Sequence, residues 1–331
     1  MTDVASKEPP LLRVEDLVTW LPTARGVVRA VDGVSLALHH GRTLAIVGES
    51  GSGKSMLGRS ILGLLPARAA TPRGRVLFDG QDLRSLPPNE LRSLWGRDLS
   101  LVFQDPMTSL SPVVRVGQHI TEVLSAHTDL NRSKARQRAI ELLDDVGIPQ
   151  PSQHIDDYPH QLSGGMRQRV SIAIAIACNP KLLIADEPTT ALDVRVQRQI
   201  LDLFDSLQAE RHMATILITH DLAVVAGRAD EVAVMYGGRI VETGSPRAIF
   251  TRARHPYTVA LLNSIPRLEH PPHTRLATTA GVRAAVNASV GCRFAHRCEF
   301  VQPRCVAEDP PLAEGNEPEH AYACFHPIEV S

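Results

Sequence analysis

Up to about residue 245 the apolar positions follow two rhythms. Short aliphatic and β-branched runs at 44–48, 100–103, 181–185 and 215–219 each end in a polar or glycine-rich turn. Amphipathic stretches separate them, and this alternation predicts an α/β domain built on a mainly parallel sheet. In such folds the chemistry collects on the turns that follow the strands. Segments 12–20 and 27–38 read as antiparallel strands, and a later hairpin turns at Gly237-Gly238. Between Pro112 and Gln161 the rhythm becomes helical: Ala135, Ala139, Leu142, Leu143 and Val146 recur on one face. That predicts a helical insertion between two strands. After Pro246 the chain grows richer in Pro and His, with a helix expected over 256–264 and a loop-like stretch from 270 to about 291. A smaller second unit is expected there.

Composition narrows the class. With 43% hydrophobic and 21% charged residues the chain reads as a soluble globular protein long enough for two domains. A net charge of −1 gives no general attraction to nucleic acid. No apolar run approaches the 18 residues of a spanning helix, so any link to a membrane runs through a partner. The start, MTDVASKEPP, has acids and prolines where a secretory leader needs a basic then an apolar stretch. A cytosolic chain with reduced thiols is expected.

Gly48-Glu49-Ser50-Gly51-Ser52-Gly53-Lys54-Ser55 follows the first of the buried runs and precedes a helix expected to reach about Leu65. It matches G-x-x-x-x-G-K-[ST], whose glycines let the backbone wrap an anion while amide N–H groups point inward. Lys54 would reach the β and γ oxygens of a nucleotide, and Ser55 would ligate Mg²⁺. The run 182–187 ends in Asp186-Glu187, one acid placed to hold Mg²⁺ through water and one to polarise an attacking water. Alone, such a strand end is commonly a solvated turn; the phosphate loop upstream shifts the reading toward hydrolysis. Leu162-Ser163-Gly164-Gly165-Met166-Arg167-Gln168-Arg169 opens a helix expected to run apolar as far as Cys178. Ser163 suits its N-cap, and a second anion site is the sharper reading of an otherwise ordinary capped helix.

Together these residues resemble an ATP-binding cassette, the ATPase domain of ABC transporters, over about residues 11–245. The resemblance implies a P-loop NTPase fold: a RecA-like α/β core, an antiparallel β subdomain and a helical subdomain at about 112–178. It also implies a role for each remaining motif. Gln104 resembles the glutamine that touches Mg²⁺ or the water, Ala191-Leu192-Asp193 the Asp loop that crosses the dimer interface, and His220 the histidine that contacts the γ-phosphate. Trp20 resembles the aromatic that stacks on adenine, with an ordinary core or surface Trp as the alternative. In the family, Ser163, Gly164, Gly165 and Met166 of one cassette close over ATP held by another, so the active state is two-chained. Most members read LSGGQ; the LSGGM form is similar to the peptide and nickel importer branch.

His255-Pro256-Tyr257-Thr258 and the helix expected after it resemble the C-terminal extension of oligopeptide and dipeptide importer ATPases, which would span 246–331. Its Cys292, Cys298, Cys305 and Cys324 are spaced C-x5-C-x6-C-x18-C. Four thiols this close in a reducing compartment suggest a metal site. The resemblance puts a [4Fe–4S] cluster ahead of Zn²⁺, with no metal as the third possibility. Arg293, Arg297 and Arg304 would suit an anionic cluster, and His296, His320 or His326 could replace one thiolate. Cys178 reads as a small apolar residue.

The expected function is the ATPase subunit of a bacterial binding-protein-dependent importer of dipeptides or oligopeptides. Nickel or another small solute of the same branch is the alternative. The expected partners are a second cassette subunit, typically a paralogue, two transmembrane permease subunits and an extracytoplasmic solute-binding protein, with no nucleic acid. The expected place is the cytoplasmic face of the bacterial inner membrane, held through the permeases. A soluble cassette ATPase acting on nucleic acid or ribosomes is the rival from another class; the basic surface or paired cassettes such proteins carry are absent from this sequence.

Overall fold

The computed structural model describes residues 9–24, 26–105, 109–189, 193–265, 290–315 and 319–329. The chain divides into one unit of residues 1–38, 43–84 and 219–331 and another of 39–42 and 85–218.

In the first unit, β1 (Leu12–Thr23) pairs antiparallel with β2 (Gly26–Leu38), and its other edge pairs with β4 (Ala70–Phe78), which continues to β5 (Gln81–Asp82). Val14, Leu17 and Val18 of β1 are buried while Arg13 is exposed, the one-sided pattern of an antiparallel sheet. The strand β3 (Thr43–Val47) is buried along its whole length, as expected where both faces are covered. It runs parallel to β9 (Glu231–Tyr236), which returns as β10 (Arg239–Gly244). The reversal falls on Gly237 and Gly238, both at positive φ, as the hairpin reading required.

Beyond β10 the extension adds β12 (Ala321–Tyr322) and then β11 (Ala313–Glu314) to this sheet. Ala45 and Val47 of β3 share one core with Val234, Tyr236, Tyr257 and Phe294. The extension therefore packs on the strand that delivers the phosphate loop.

In the second unit β6 (Leu99–Val102), β7 (Leu182–Asp186) and β8 (Ala214–Thr219) are parallel, with β7 in the middle. The insertion is helical as read, with helices Val116–His127, Arg132–Asp145, Pro151–His154 and Gly164–Ala175. Ala135, Ala139, Leu142 and Leu143 form the buried stripe of the second of these, and its N-cap Asn131 accepts from Lys134 N–H at 3.0 Å.

Two helices are shorter than their apolar patterns suggested. The helix after the phosphate loop is Lys54–Ile61, not one reaching Leu65, because Gly63 takes a left-handed φ of 70° just past its end. The signature helix stops at Ala175, and Ile176, Ala177 and Cys178 form a turn leading to Asn179 at φ 54°. The helix expected over 256–264 is Pro256–Asn263. The loop-like stretch 270–291 lies outside the described residues except for its last two positions. Among the described residues no helix is long and apolar enough to cross a membrane.

Candidate nucleotide and hydrolysis loops

The phosphate loop is shaped by positions only glycine can occupy. Gly48 leaves β3 at φ 153°, so close to the neighbouring hairpin that a Cβ would stand 2.2 Å from the Met235 carbonyl oxygen. Gly53, at φ 108°, would put a Cβ 2.1 Å from the Ala30 carbonyl oxygen. Ser52 N–H donates to the Glu49 carbonyl at 3.1 Å, and the Ser52 carbonyl accepts from Gly238 N–H at 2.8 Å. Ser50 and Gly51 form the exposed tip. Lys54 is only 3% exposed, and its Nζ donates to the carbonyls of Gly48 and Glu49 at 2.8 and 3.0 Å. Helix Lys54–Ile61 starts on Gly53, leaving its first N–H groups beside the loop, with Ser55 in its first turn. A buried ammonium and converging backbone donors are what a polyphosphate requires.

Glu49 is held by the extension, which the sequence reading missed. Its N–H donates to Tyr257 Oη at 2.8 Å, and its carboxylate takes two bonds from Arg297, both 2.9 Å. The Arg29 guanidinium lies 5.6 Å from the Trp20 ring centroid, and the Trp20 indole N–H is buried with no hydrogen-bond partner among the described residues. His220 is exposed at the end of β8.

In the second unit Asp186 closes β7 at 2% exposure. Glu187 follows in the left-handed region, φ 46°, a conformation that costs a residue with a Cβ about 1–2 kcal/mol. Its N–H donates to the Ile218 carbonyl at 2.9 Å, which holds the turn. Gln104, two residues past β6, donates Nε2 to Glu187 Oε2 at 3.0 Å. Neighbouring parallel strands thus bring together two of the three residues read as catalytic, and the glutamine's oxygen is left as the atom that can ligate a cation. Ser163 caps the signature helix, accepting from Met166 N–H at 3.3 Å, and Ser163 and Gly164 are exposed. Asp193 caps helix Val194–Arg211 through Val196 N–H at 3.0 Å; Ala191 and Leu192 lie outside the described residues.

The cysteine reading is corrected. Cys292, Cys298, Cys305 and Cys324 do line one small cavity, but with Phe294 and Phe325 among its walls. Among the described residues no group of three or more His, Cys, Asp or Glu side chains is arranged to hold a metal ion. Neither a [4Fe–4S] cluster nor Zn²⁺ is therefore supported. Burial pushes the thiols of Cys292 and Cys298 up and that of Cys324 up to about 11, the behaviour of protonated side chains in an apolar setting. The residues read as cluster partners have other work: Arg293 pairs with Asp32, Arg304 with Glu308, and His320 Nε2 donates to Glu242 at 2.8 Å.

A glycine-forced loop around a lysine, an Asp-Glu strand end and a serine-capped glycine helix define the class as an ATP-binding cassette. Residues 31–190 match the ABC transporter family, and 241–305 match the oligopeptide/dipeptide transporter C-terminal region. The chain belongs to the ABC transporter ATP-binding proteins that carry this C-terminal region. It is 47% identical to the dipeptide transport ATP-binding protein DppD of Escherichia coli K12, over 96% of this chain and 97% of that one. To the oligopeptide transport ATP-binding protein OppD of Bacillus subtilis 168 it is 49% identical, over 91% and 85% of the two chains. Among solved structures, the dimeric ATP-binding cassette MJ0796 in a post-hydrolysis state with ADP and Pi aligns with a TM-score of 0.65 at 27% identity. That alignment covers 71% of this chain and 99% of that one.

Proposed function

We propose that this chain is the ATP-hydrolysing subunit of a bacterial binding-protein-dependent importer of dipeptides or oligopeptides. The observation that carries the hydrolytic part is Glu187, a non-glycine residue kept at positive φ on a buried strand end with Gln104 bound to its carboxylate. Backbone strain of this kind persists only where surrounding structure holds it, and it concentrates at reacting sites.

In this reading Gly48, Glu49, Ser50, Gly51, Ser52 and Gly53 wrap the phosphates, and Lys54 exchanges its two carbonyl partners for β and γ oxygens. Ser55, Gln104 and Asp186 offer the hydroxyl, amide and carboxylate oxygens that suit Mg²⁺. When bound, that ion supplies positive charge against the phosphates. Glu187 takes the proton of the attacking water, Gln104 fixes its carboxylate, and His220 contacts the γ-phosphate. Trp20 stacks on adenine. Ser163, Gly164, Gly165 and Met166 close over nucleotide held by a second cassette, with Asp193 at the interface. The exposure of Ser163 and Gly164 and the dimeric MJ0796 structure support that pairing. Within the chain, residues 11–245 are the cassette and 246–331 the extension.

The names of the DppD and OppD relatives support peptides as cargo. The partners are a paralogous cassette subunit, two permease subunits and an extracytoplasmic binding protein, with this chain on the cytoplasmic face of the membrane. The test is Glu187→Gln in the assembled complex: a loss of about 10²–10⁴-fold in turnover with an ATP-bound dimer retained. Unchanged turnover would remove Glu187 from its role. Uptake of labelled dipeptides and of nickel chelates by the same complex separates the two cargo classes.

A further inference from the structure

We propose that Tyr257 and Arg297 of the C-terminal extension are positioning residues for nucleotide binding, setting the phosphate loop through Glu49. The inference rests on reading that loop as the ATP site. Both contacts fall on one residue. The Glu49 amide is drawn inward by the Tyr257 phenol at 2.8 Å, while the next two residues stay exposed at the tip. The Glu49 carboxylate is gripped by both Arg297 Nη atoms at 2.9 Å, a planar fork that fixes orientation as well as distance.

Neither anchor is a loose surface side chain. The Arg297 side chain is 3% exposed, and its guanidinium lies 5.7 Å from the Tyr236 ring centroid and 5.8 Å from that of Phe294. Tyr257 is fully buried, its ring 4.5 Å from that of Tyr236 and 5.4 Å from that of Phe294. Its backbone is held as well: Tyr257 N–H donates to His255 Nδ1 at 3.1 Å, and His255 N–H donates to Glu242 on β10 at 3.0 Å. The His-Pro-Tyr segment is thus a stiff bracket running from the sheet to the loop.

Electrostatics gives the bracket a purpose beyond packing. A carboxylate in a phosphate loop opposes the anion the loop must receive, and pairing it with a buried guanidinium cancels that charge in place. Loss of Arg297 would take away the fork that orients the Glu49 carboxylate and offsets its charge. Nucleotide in its ground state and in the transition state should suffer alike, which moves KM and leaves kcat.

The test uses the full chain in the assembled transporter, with MgATP as the varied substrate. Arg297→Ala is expected to raise KM about tenfold with kcat within about twofold, and Tyr257→Phe to raise KM about threefold. Arg297→Lys should recover part of the loss. Adding Glu49→Gln to Arg297→Gln should lower KM again, because the negative charge that opposed the phosphates is gone. A role confined to folding the extension would lower the melting temperature without this split or this rescue. Should Arg297→Ala fail to fold, Arg297→Lys and Tyr257→Phe decide. Unchanged KM in those two variants, or no rescue by Glu49→Gln, overturns the inference while leaving the ATPase reading intact. Failure of the unaltered complex to bind ATP overturns both.

Discussion

The phosphate loop and the cysteine segment both stand out in the sequence as dense sets of chemistry-bearing residues, and the folded chain treats them in opposite ways. Around Gly48 and Gly53 the backbone is pressed against Met235 and Ala30, so the glycines exist to make a shape, and the shape keeps Lys54 inside a ring of backbone groups. Around Cys292, Cys298, Cys305 and Cys324 the one comparable glycine, Gly291 at φ 85°, only lets the chain pass the Val306 carbonyl oxygen, which a Cβ there would meet at 2.4 Å, and the sulfurs sit among Phe294, Phe325 and prolines as small apolar side chains. A motif that specifies conformation constrains what can bind; a set of ligand-capable residue types does not.

The sharpest way to break this contrast is to remove the charge from the loop. Lys54→Ala is expected to lower ATP turnover of the assembled complex by about 10²–10³-fold, the scale for losing one preorganised donor to developing phosphate charge. Turnover within threefold of the unaltered complex would take the loop out of the chemistry. Next in size is the shape itself. Gly53→Ala forces a Cβ onto the Ala30 carbonyl at a φ of 108°, and should cost about 3 kcal/mol by urea unfolding through strain and clash together. If that variant is as stable as the parent, the glycine was not shaping the loop.

What could be seen in advance follows the same division. The buried strands 44–48, 100–103, 181–185 and 215–219 were legible to within about one residue at most ends, because fully covered parallel strands read as unbroken apolar runs. Gln104 and Glu187 were each picked out by motif, but their contact was not foreseen, although both lie just past a parallel strand. The early helix stops were not, although Gly63 offered the signal for one of them. The bracket on Glu49 was invisible: Arg297 lies 248 positions away, and nothing local in a charge between two cysteines says which carboxylate it will meet.

His255 sharpens the comparison from the extension's side through pH. Burial lowers its pKa from the usual 6.5 to about 3. The unfolded chain therefore binds a proton that the folded chain refuses, so this contribution is full above pH 6.5 and declines as pH falls toward 3. The slope is about 1.4 kcal/mol per pH unit. His255→Asn keeps an acceptor for Tyr257 N–H and removes the titration. Between pH 6.5 and 5 the parent should lose about 2 kcal/mol more than the variant, measured by urea unfolding at each pH. Parallel curves would mean that the histidine is protonated in the folded chain.

The smallest effect is expected at the cysteines, and it is the one that tests their reading most directly. Cys305 is 8% exposed and faces the same cavity as the other three thiols, with aromatic rings as its neighbours. Serine is close to it in size but brings a hydroxyl that wants a partner, so Cys305→Ser should cost about 1–2 kcal/mol, the price of a buried polar group left unsatisfied. Alanine removes the sulfur without adding polarity and should cost about 1 kcal/mol through the small void. The ordering is the point: a packing cysteine tolerates alanine better than serine, whereas a residue whose sulfur is needed as a donor tolerates neither. Urea unfolding of the two variants, run alongside ATP turnover, reads both quantities. Alanine proving the more damaging of the two would reverse the assignment of this segment as core.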